Sequence, residues 1–346
     1  MIRIGQIGVG SWGRNLLRNF AGLRDSRVVA ACDANPEVLK GIGRDYPAIR
    51  TTTAPEEVIA DPEVDAVVIA TLPVTHYVLA AQALEAGKDV FVEKPMVLDV
   101  GDGERLVRLA EERERILMVG HLMEYHCALL QLKEYVDQGE LGAPYYLYSQ
   151  RVNLGKLRKD ENALWSFAPH DVSVVLFLLG KEPIRVTAVG QSYLRKGVED
   201  VAFAILHFEG GAMAHIHVSW LDPHKIRKLT VVGSRKMAVF DDMATGEMIR
   251  IYDKGVEQNV DSPSIGLNRP GEYATYGESL SLRWGDVLIP RVVMTEPLRA
   301  ECEHFVQCVE KRIPPRSDGR DGLRVLRVLD ACQRSMEQQG APVALG

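Results

Sequence analysis

The stretch "IRIGQIGVGSWG", residues 2–13, decides the fold. Its first six residues have the pattern of a strand, and Gly8, Gly10 and Gly13 then follow in the spacing GxGxxG. Between a strand and a helix, the first glycine permits a tight turn, the second lets the backbone approach a pyrophosphate, and the third lets the helix pack closely on the strand. The amides at the N-terminus of that helix would bind the anion. The stretch therefore predicts a dinucleotide-binding unit.

A carboxylate ends the second predicted strand, "RVVAACD". Asp33 lies near the offset of about 20 residues expected for the acid that binds the adenosine ribose hydroxyls. Ala34 follows, so no arginine stands there to receive a 2′-phosphate, which Asp33 itself would repel. We therefore expect NAD rather than NADP as the cofactor. The alternative is that Asp33 only caps the helix that begins in "ANPEVL".

Strand and helix patterns alternate through the first third of the chain, with "VDAVVIAT", "KDVFVEK" and "RILMVGH" as further strands. This alternation predicts a doubly wound parallel α/β sheet of the Rossmann type. After about residue 140, close-spaced short strands predict a mostly antiparallel open sheet. In "HIHVSW" the residue types alternate, so we expect this sheet to have two different faces.

We therefore predict three parts of the chain. Residues 1–122 form an NAD-binding domain, and residues 123–297 form an α+β domain for substrate binding and oligomerisation. Residues 298–346 form C-terminal helices that pack back on the first domain. Residues 253–295 are rich in glycine, proline and polar residues, and we expect a long loop there.

Composition excludes several classes of function. The net charge of −6 and the lack of a long basic run argue against a nucleic-acid partner. No apolar run approaches the ~18 residues of a membrane span, and the N-terminus lacks the pattern of a signal peptide, so a cytoplasmic protein is expected. Five scattered cysteines without a CxxC pair suggest neither a disulfide framework nor a metal site.

Two residues are candidates for proton chemistry. Lys94 in "VFVEKPM", residues 90–96, follows a strand at the carboxyl edge of the sheet, where open α/β folds bind ligands. The alternative is an ordinary ion pair with Glu93. His170 follows Pro169 in "NALWSFAPHDVSVVLFLLG", and the apolar spacing places it in the first turn of a helix. There the helix dipole would favour a neutral imidazole that serves as a base, although a capping or solvated histidine is the alternative. His121 and His126 have weaker claims.

A cluster of donors, "RVNLGKLRKDEN", precedes the histidine helix. Arginine, lysine and asparagine side chains suit a carboxylate or a phosphate. A solvated loop, balanced by Asp160 and Glu161, is the alternative. The predicted substrate contacts in this region are Asn153, Lys156, Arg158, Asn162, Trp165 and His170.

Together these motifs resemble the Gfo/Idh/MocA family of nicotinamide-dependent sugar oxidoreductases, over nearly the whole chain. The most specific element is "EKP" after the AGKxVxxEKP run. The resemblance is greatest to the WlbA/WbpB group of UDP-N-acetylglucosaminuronate 3-dehydrogenases. It implies that Lys94 and His170 are the catalytic pair and that the Lys94-Pro95 bond is cis. One departure is Ser166, which stands where the family often has an aspartate.

The resemblance also implies cofactor contacts and an assembly. The predicted cofactor contacts beyond the three glycines, Asp33 and Lys94 are Ser11, Trp12, Thr71, Leu72, Pro73, His76 and Glu93. A homo-oligomer, either a tetramer or a dimer, would pack through its open sheets.

The predicted reaction is oxidation of a ring hydroxyl, at C3, of a nucleotide-linked N-acetylhexosaminuronate with hydride transfer to NAD. The alternatives within the family are a keto-sugar reductase or a dehydrogenase of a free sugar or inositol. The alternative from another class is a non-catalytic NAD-binding regulator.

Overall fold

The computed structural model describes residues 1–155, 161–258 and 280–345. The strands of the first sheet are β1 Ile2–Ile7, β2 Ser26–Cys32, β3 Arg50–Thr52, β4 Ala66–Ile69, β5 Asp89–Glu93 and β6 Leu117–Gly120. All neighbours pair in parallel, in the order β3-β2-β1-β4-β5-β6. Every residue of β4 and β5 is buried, as expected for a parallel sheet covered on both faces. The predicted doubly wound sheet is confirmed.

The crossover helices of this sheet are α1 Gly13–Ala21, α2 Pro36–Asp45, α3 Pro55–Ile59, α4 His76–Glu85 and α5 Val100–Glu112. Strand order reverses between β1 and β4, which is the point where doubly wound sheets open a crevice for ligands. The glycine loop after β1 and the residues that follow β4 and β5 meet at this crevice.

The second sheet has nine strands in the described part of the chain. Their bounds are β7 Pro144–Val152, β8 Pro183–Gln191, β9 Val201–Phe208, β10 Met213–Ser219, β11 Ile226–Gly233, β12 Met237–Asp241, β13 Ile249–Gln258, β14 Leu280–Leu288 and β15 Val343–Ala344. The order is β14-β13-β12-β11-β7-β10-β9-β8-β15, and of these pairs only β7 with β10 is parallel. The predicted antiparallel open sheet is confirmed.

The two faces of this sheet differ, as the alternation in "HIHVSW" predicts. Ile216 and Val218 are buried on the inner face, which packs against α6 Cys127–Asp137 and α7 Ala163–Leu179. His215 lies on the outer face, where its ring is nearly parallel to that of Phe203, with the centroids 6.3 Å apart. Phe203, an apolar side chain on this outer face, is 39% exposed.

Two C-terminal helices, α8 Pro297–Lys311 and α9 Gly319–Glu337, join the two sheets. Helix α8 packs on α1 and β1, where Phe305 meets the rings of Phe20 and Phe91 edge-on at 6.1 and 5.6 Å. Helix α9 contacts α5 and β6 on one side and α7 and β8 on the other. The predicted domain limits at residues 122 and 297 stay predictions.

The prediction of a loop over residues 253–295 is wrong for residues 253–258 and 280–288, which lie in strands, whereas residues 289–295 lie in neither a helix nor a strand, as predicted. Strand β13 runs to Gln258, and β14 spans Leu280–Leu288. The two strands pair in antiparallel fashion, and Lys254 lies over the ring of Trp284 at 5.1 Å. Cross-strand pairs of this kind stabilise strands whose own residues have low β-propensity, and a single sequence does not show them. Residues 259–279 lie outside the described residues.

No helix in the described ranges is both long enough and apolar enough to cross a membrane.

Candidate active site

The glycine loop has the geometry that dinucleotide binding requires. Gly8 has a φ of +90°, and a Cβ there would lie 2.5 Å from the carbonyl oxygen of Ala70. A Cβ on Gly13 would lie 2.1 Å from the carbonyl oxygen of Gly8. At Gly10 a Cβ would meet no atom within 4 Å, so the backbone there borders open space. That space is where a pyrophosphate can approach, and the loop fits NAD.

A buried glutamine that sequence reasoning missed supports this loop. The Gln6 side chain is fully buried, and its Nε2 donates to the carbonyl oxygens of Gly8 at 2.9 Å and Gly13 at 2.6 Å. A buried amide needs such partners. The signal in the sequence was a polar residue, Gln6, one position before the end of an apolar strand, which indicates a buried hydrogen-bonding role.

Asp33 is oriented by backbone amides. Its Oδ2 accepts a hydrogen bond from the Val9 amide, and its Oδ1 accepts one from the Asn35 amide, both at 2.9 Å. The N-cap of α2 is Asn35, whose side chain accepts from Glu37, so Asp33 is not the capping residue. Each carboxylate oxygen keeps a lone pair for a hydroxyl donor, as the ribose would require.

Glu93 connects the glycine loop to the end of β5. Its buried carboxylate accepts a hydrogen bond from Trp12 Nε1 at 2.5 Å and one from the Lys94 amide at 3.2 Å. Gly120 leaves room for it, since a Cβ there would lie 3.1 Å from the carboxylate carbon. Burial raises the pKa of Glu93. The Lys94-Pro95 bond is cis, as expected.

His76 lies beneath the site rather than at its surface. The ring is completely buried, and its nitrogens contact the carbonyl oxygens of Pro95 at 2.9 Å and Thr71 at 3.3 Å. His76 thus connects the segments after β4 and β5, and it can affect a cofactor only through them. Leu72 and Pro73, like Thr71, line a cavity between the first sheet and α7.

A cavity of about 420 Å³ lies where the first sheet meets α7 and the second sheet. Both catalytic candidates line it. Lys94 Nζ donates to the carbonyl oxygen of Ser166 at 3.1 Å, which fixes the ammonium group against α7. Besides Lys94 and His170, the lining residues include Trp12, Thr71, Glu93, Leu122, Met123, Arg151, Glu161, Phe167 and Arg227.

The predicted position of His170 in its helix is wrong. Helix α7 begins at Ala163, and its cap is Asn162, whose Oδ1 accepts from the Trp165 amide at 3.1 Å. Pro169 lies inside the helix although it cannot donate a backbone hydrogen bond, so His170 is not in the first turn.

The pKa of His170 is lowered well below its ordinary value, but not by the helix terminus. Burial is the largest cause, followed by the positive charges of Lys94 and Arg151. Nδ1 is buried without a hydrogen-bond partner among the described residues, so Nε2 is the nitrogen available to the cavity. The imidazole of His170 is therefore neutral at physiological pH and could accept a proton at Nε2.

Two arginines stand side by side at the cavity wall. Arg151 on β7 pairs with Arg227 on β11 directly across the sheet. Arg151 Nε donates to the buried Asp171 at 2.7 Å, and Ser149 donates to the other carboxylate oxygen. Arg227 is held less firmly: Nη1 lies 3.6 Å from Asp242, and Nε is buried without a hydrogen bond in the described part of the chain. Sequence reasoning missed Arg227 because its register is not visible in one sequence.

Three predicted substrate contacts do not line this cavity. Asn162 Nδ2 donates to Glu199 at 2.6 Å and to Gln333 at 3.0 Å, while Trp165 Nε1 donates to Gln333 at 3.3 Å. These side chains therefore join the start of α7 to α9 and to the segment that precedes β9. Asn153 also lies apart from the cavity. Lys156 and Arg158 lie outside the described residues.

Comparisons with known proteins agree with this geometry. A model of the oxidoreductase family with an NAD-binding Rossmann fold, Gfo/Idh/MocA, matches residues 2–121, and a model of the family's C-terminal domain matches residues 129–239. The UDP-N-acetylglucosamine 3-dehydrogenase of Acidithiobacillus ferrooxidans is 28% identical over 94% of each chain. Its solved structure has a TM-score of 0.79 and covers 97% of this chain and 98% of its own.

Other relatives extend the range of substrates. The inositol 2-dehydrogenase of Rhizobium meliloti is 27% identical over 98% of each chain. An oxidoreductase from Agrobacterium radiobacter, solved in complex with NAD⁺, L-tartaric acid and magnesium, shares the fold, with a TM-score of 0.80, 17% identity and coverage of 99% and 98% of the two chains. The chain belongs to the Gfo/Idh/MocA family and is an NAD-dependent oxidoreductase.

Proposed function

We propose that this enzyme oxidises a ring hydroxyl, at C3, of a nucleotide-linked N-acetylhexosaminuronate. The observation that carries the proposal is the set of groups around one cavity: the neutral base His170, the ammonium of Lys94, and the paired guanidinium groups of Arg151 and Arg227. The first two suit alcohol oxidation, and the arginines suit an anionic substrate.

His170 and Lys94 have complementary roles in the proposed reaction. The substrate hydroxyl donates to Nε2 of His170, which takes the proton. The ammonium of Lys94, held by the Ser166 carbonyl, donates a hydrogen bond to the oxygen as negative charge develops on it. When bound, NAD accepts the hydride from the sugar carbon. The fixed position of both groups reduces the entropic cost of reaching the reactive geometry.

The charge of the cavity favours an anion. Like charges directly opposite each other in a sheet are destabilising, and Asp171 compensates only Arg151 closely. A substrate carboxylate or phosphate in the cavity would accept charge-assisted hydrogen bonds from the guanidinium group of Arg227, which lines it. A neutral polyol supplies no such charge. Glu161 lines the same cavity and would disfavour an anion placed beside it.

The decisive experiment is a substrate panel. The purified protein is mixed with NAD and UDP-N-acetylglucosaminuronate, UDP-N-acetylglucosamine, dTDP-sugars or myo-inositol, with and without 2-oxoglutarate, while the nicotinamide redox state is followed. We expect the highest kcat/KM with the uronate. Equal or better turnover of inositol would contradict the proposal. A preference for the non-acidic UDP-sugar would contradict the uronate as substrate and would support a nucleotide sugar without a carboxylate.

Arg227→Gln provides a matched test of charge recognition. We expect a KM for the uronate raised about tenfold or more, since charge-assisted hydrogen bonds contribute roughly 1.5–3 kcal/mol. The KM for a non-acidic UDP-sugar should change less. His224→Gln, on an exposed side chain, is the control. An equal rise of both KM values would show that Arg227 does not recognise the substrate carboxylate.

We further propose that the chain forms a homo-oligomer through the outer face of the second sheet. The exposed apolar and aromatic side chains on that face include Tyr146 and Tyr148 on β7 and Phe203 and Ile205 on β9, the two strands that flank β10. Contiguous exposed apolar surface of this kind is typical of an interface. Sedimentation analysis should give a dimer or tetramer, and a charged substitution such as Ile205→Glu should reduce the subunit number.

A further inference from the structure

Trp12 occupies a position in the glycine loop that helix capping does not explain. It is the N-cap residue of α1, where serine, threonine, asparagine or aspartate would satisfy a free backbone amide, and its side chain makes no capping hydrogen bond. The indole is 43% exposed although it is a large aromatic group. Its backbone is anchored in the helix, since the Trp12 carbonyl oxygen accepts from the Asn15 amide at 2.8 Å. The role of this side chain therefore lies outside α1.

The indole donates its hydrogen bond to a buried acid at the end of β5. Nε1–H, which is the one polar group of a tryptophan side chain, donates to Oε1 of Glu93 at 2.5 Å. The Glu93 residue is 8% exposed. Its carboxylate has little room to move on the side of β6, because a Cβ on Gly120 would lie only 3.1 Å from the carboxylate carbon. The hydrogen bond thus joins two parts of the chain that are 81 residues apart.

The same carboxylate holds the backbone of the proposed catalytic lysine. Oε2 of Glu93 accepts from the Lys94 amide at 3.2 Å, and the Lys94 ammonium donates to the Ser166 carbonyl oxygen on α7 at 3.1 Å. Trp12, Glu93 and Lys94 all line the cavity of the candidate active site. Three successive hydrogen bonds therefore lead from the N-terminus of α1, where a pyrophosphate would bind, through Lys94 to α7.

We propose that Trp12 is a positioning residue for Lys94: its indole holds the Glu93 carboxylate, and the carboxylate fixes the backbone from which the lysine side chain extends. The inference rests on the proposed role of Lys94 and deepens it. A displacement of about 1 Å at a reacting group can cost about 10²-fold in rate, so a hydrogen bond that fixes its backbone affects turnover without touching the substrate. Loss of the indole N–H should therefore lower kcat through Lys94, with a much smaller effect on NAD affinity.

The first test needs no substrate. The chain contains four tryptophans, so ¹⁵N labelling of the indoles gives four side-chain resonances in NMR spectra. Trp12→Phe identifies the Trp12 resonance by its loss, and Trp284→Phe, on the edge strand β14 and 73% exposed, is the control. We expect Glu93→Gln, which replaces one acceptor oxygen by a donor, to shift the Trp12 resonance. An unchanged Trp12 resonance in Glu93→Gln would overturn the proposal even if the enzyme turns over the predicted sugar.

The second test is kinetic and uses Trp12→Phe, which keeps an aromatic ring but removes the N–H donor. The substrate is whichever sugar of the panel the wild-type enzyme oxidises fastest. We expect kcat to fall about tenfold, while KM and the Kd for NAD change less than about threefold. Trp284→Phe should keep the wild-type values. An unchanged kcat in Trp12→Phe, or a loss of kcat no larger than the loss of NAD affinity, would overturn the proposal.

Lys94→Ala tests whether Trp12 acts through the lysine. If it does, adding Trp12→Phe to Lys94→Ala should lower the residual kcat by less than about twofold, because the two residues then act in one chain of contacts. A further tenfold loss in the double variant would show that Trp12 acts independently and would overturn the proposal. If the wild-type enzyme oxidises none of the sugars, the proposed function fails, whereas the NMR test still decides whether Trp12 holds Glu93.

Discussion

Gly10→Ala and Gly13→Ala should separate cofactor binding from folding within one loop. At Gly10 a methyl group meets no protein atom within 4 Å, and φ lies outside the left-handed region. The free energy of unfolding should therefore stay within about 1 kcal/mol of wild type. The methyl occupies the space through which a pyrophosphate approaches the backbone, so the Kd for NAD should rise at least about tenfold, or about 1.4 kcal/mol.

Gly13→Ala should have the opposite profile. Its Cβ would lie 2.1 Å from the Gly8 carbonyl oxygen, which is part of the backbone and cannot rotate away. Overpacking of this kind costs about 1–3 kcal/mol, and each kcal/mol lowers Tm by roughly 2–4 °C in domains of 150–250 residues.

The assays are thermal unfolding without cofactor, and NAD titration followed by tryptophan fluorescence. Gly43→Ala is the matched control, since Gly43 also has no atom within 4 Å of its ideal Cβ but lies in α2, away from the loop. If Gly10→Ala binds NAD as tightly as Gly43→Ala does, or if Gly13→Ala keeps the wild-type Tm, the roles assigned to these glycines are wrong.

Four further predictions follow from the site. Lys94→Ala and His170→Ala should each lower kcat at saturating substrate by about 10²-fold or more, and near wild-type turnover in either would refute the mechanism. Asp171→Asn should lower the free energy of unfolding in urea by about 3–5 kcal/mol, because it leaves the charge of Arg151 buried without its partner. The side chains of Arg151 and Asp171 are 8% and 5% exposed. A loss below about 1 kcal/mol would contradict this prediction. Burial lowers the pKa of His121 to about 4 in the folded protein, whereas in the unfolded chain it is about 6.5. Below about pH 6.5 the unfolded chain therefore binds one more proton than the folded protein. From about pH 7 to about pH 5 the wild type should lose about 2 kcal/mol more of its free energy of unfolding than His121→Gln. With an anionic substrate, the acid limb of the pH profile of kcat should lie at higher pH than that of kcat/KM, because kcat reports the pKa of His170 in the complex and kcat/KM reports it in the free enzyme. Coincident limbs would contradict a contact between the substrate charge and His170.

The sequence predicts the first sheet and its loop well because their signals are local. The glycine spacing, the Asp33 offset and the continuous apolar strands are each determined by nearby residues. The second sheet is predicted in type but not in extent, since β14 lies at its edge and pairs with β13, a contact that one sequence does not show.

The site is predicted less completely because it is formed by register and long-range contacts. Lys94 and His170, both predicted as site residues, line the cavity, but Arg227 reaches it only because β11 pairs with β7 in a particular register. Asn162 carries an amide of the kind that often binds a substrate, yet this amide donates hydrogen bonds to Glu199 and Gln333, which are remote in sequence. A polar residue near a motif can serve the fold or the ligand, and only the tertiary partners distinguish the two.

The electrostatics of the cavity connect substrate binding to the strength of the base. The positive charges of Lys94, Arg151 and Arg227 lower the pKa of His170 in the free enzyme, in addition to burial. A bound carboxylate or phosphate would offset that positive charge and would raise the pKa of His170 towards cellular pH, where the proposed general base is most effective. A neutral polyol would leave the charges uncompensated and the base weak. The arginines would therefore select an anionic substrate twice, first through binding and again through the basicity of His170 once that substrate is bound.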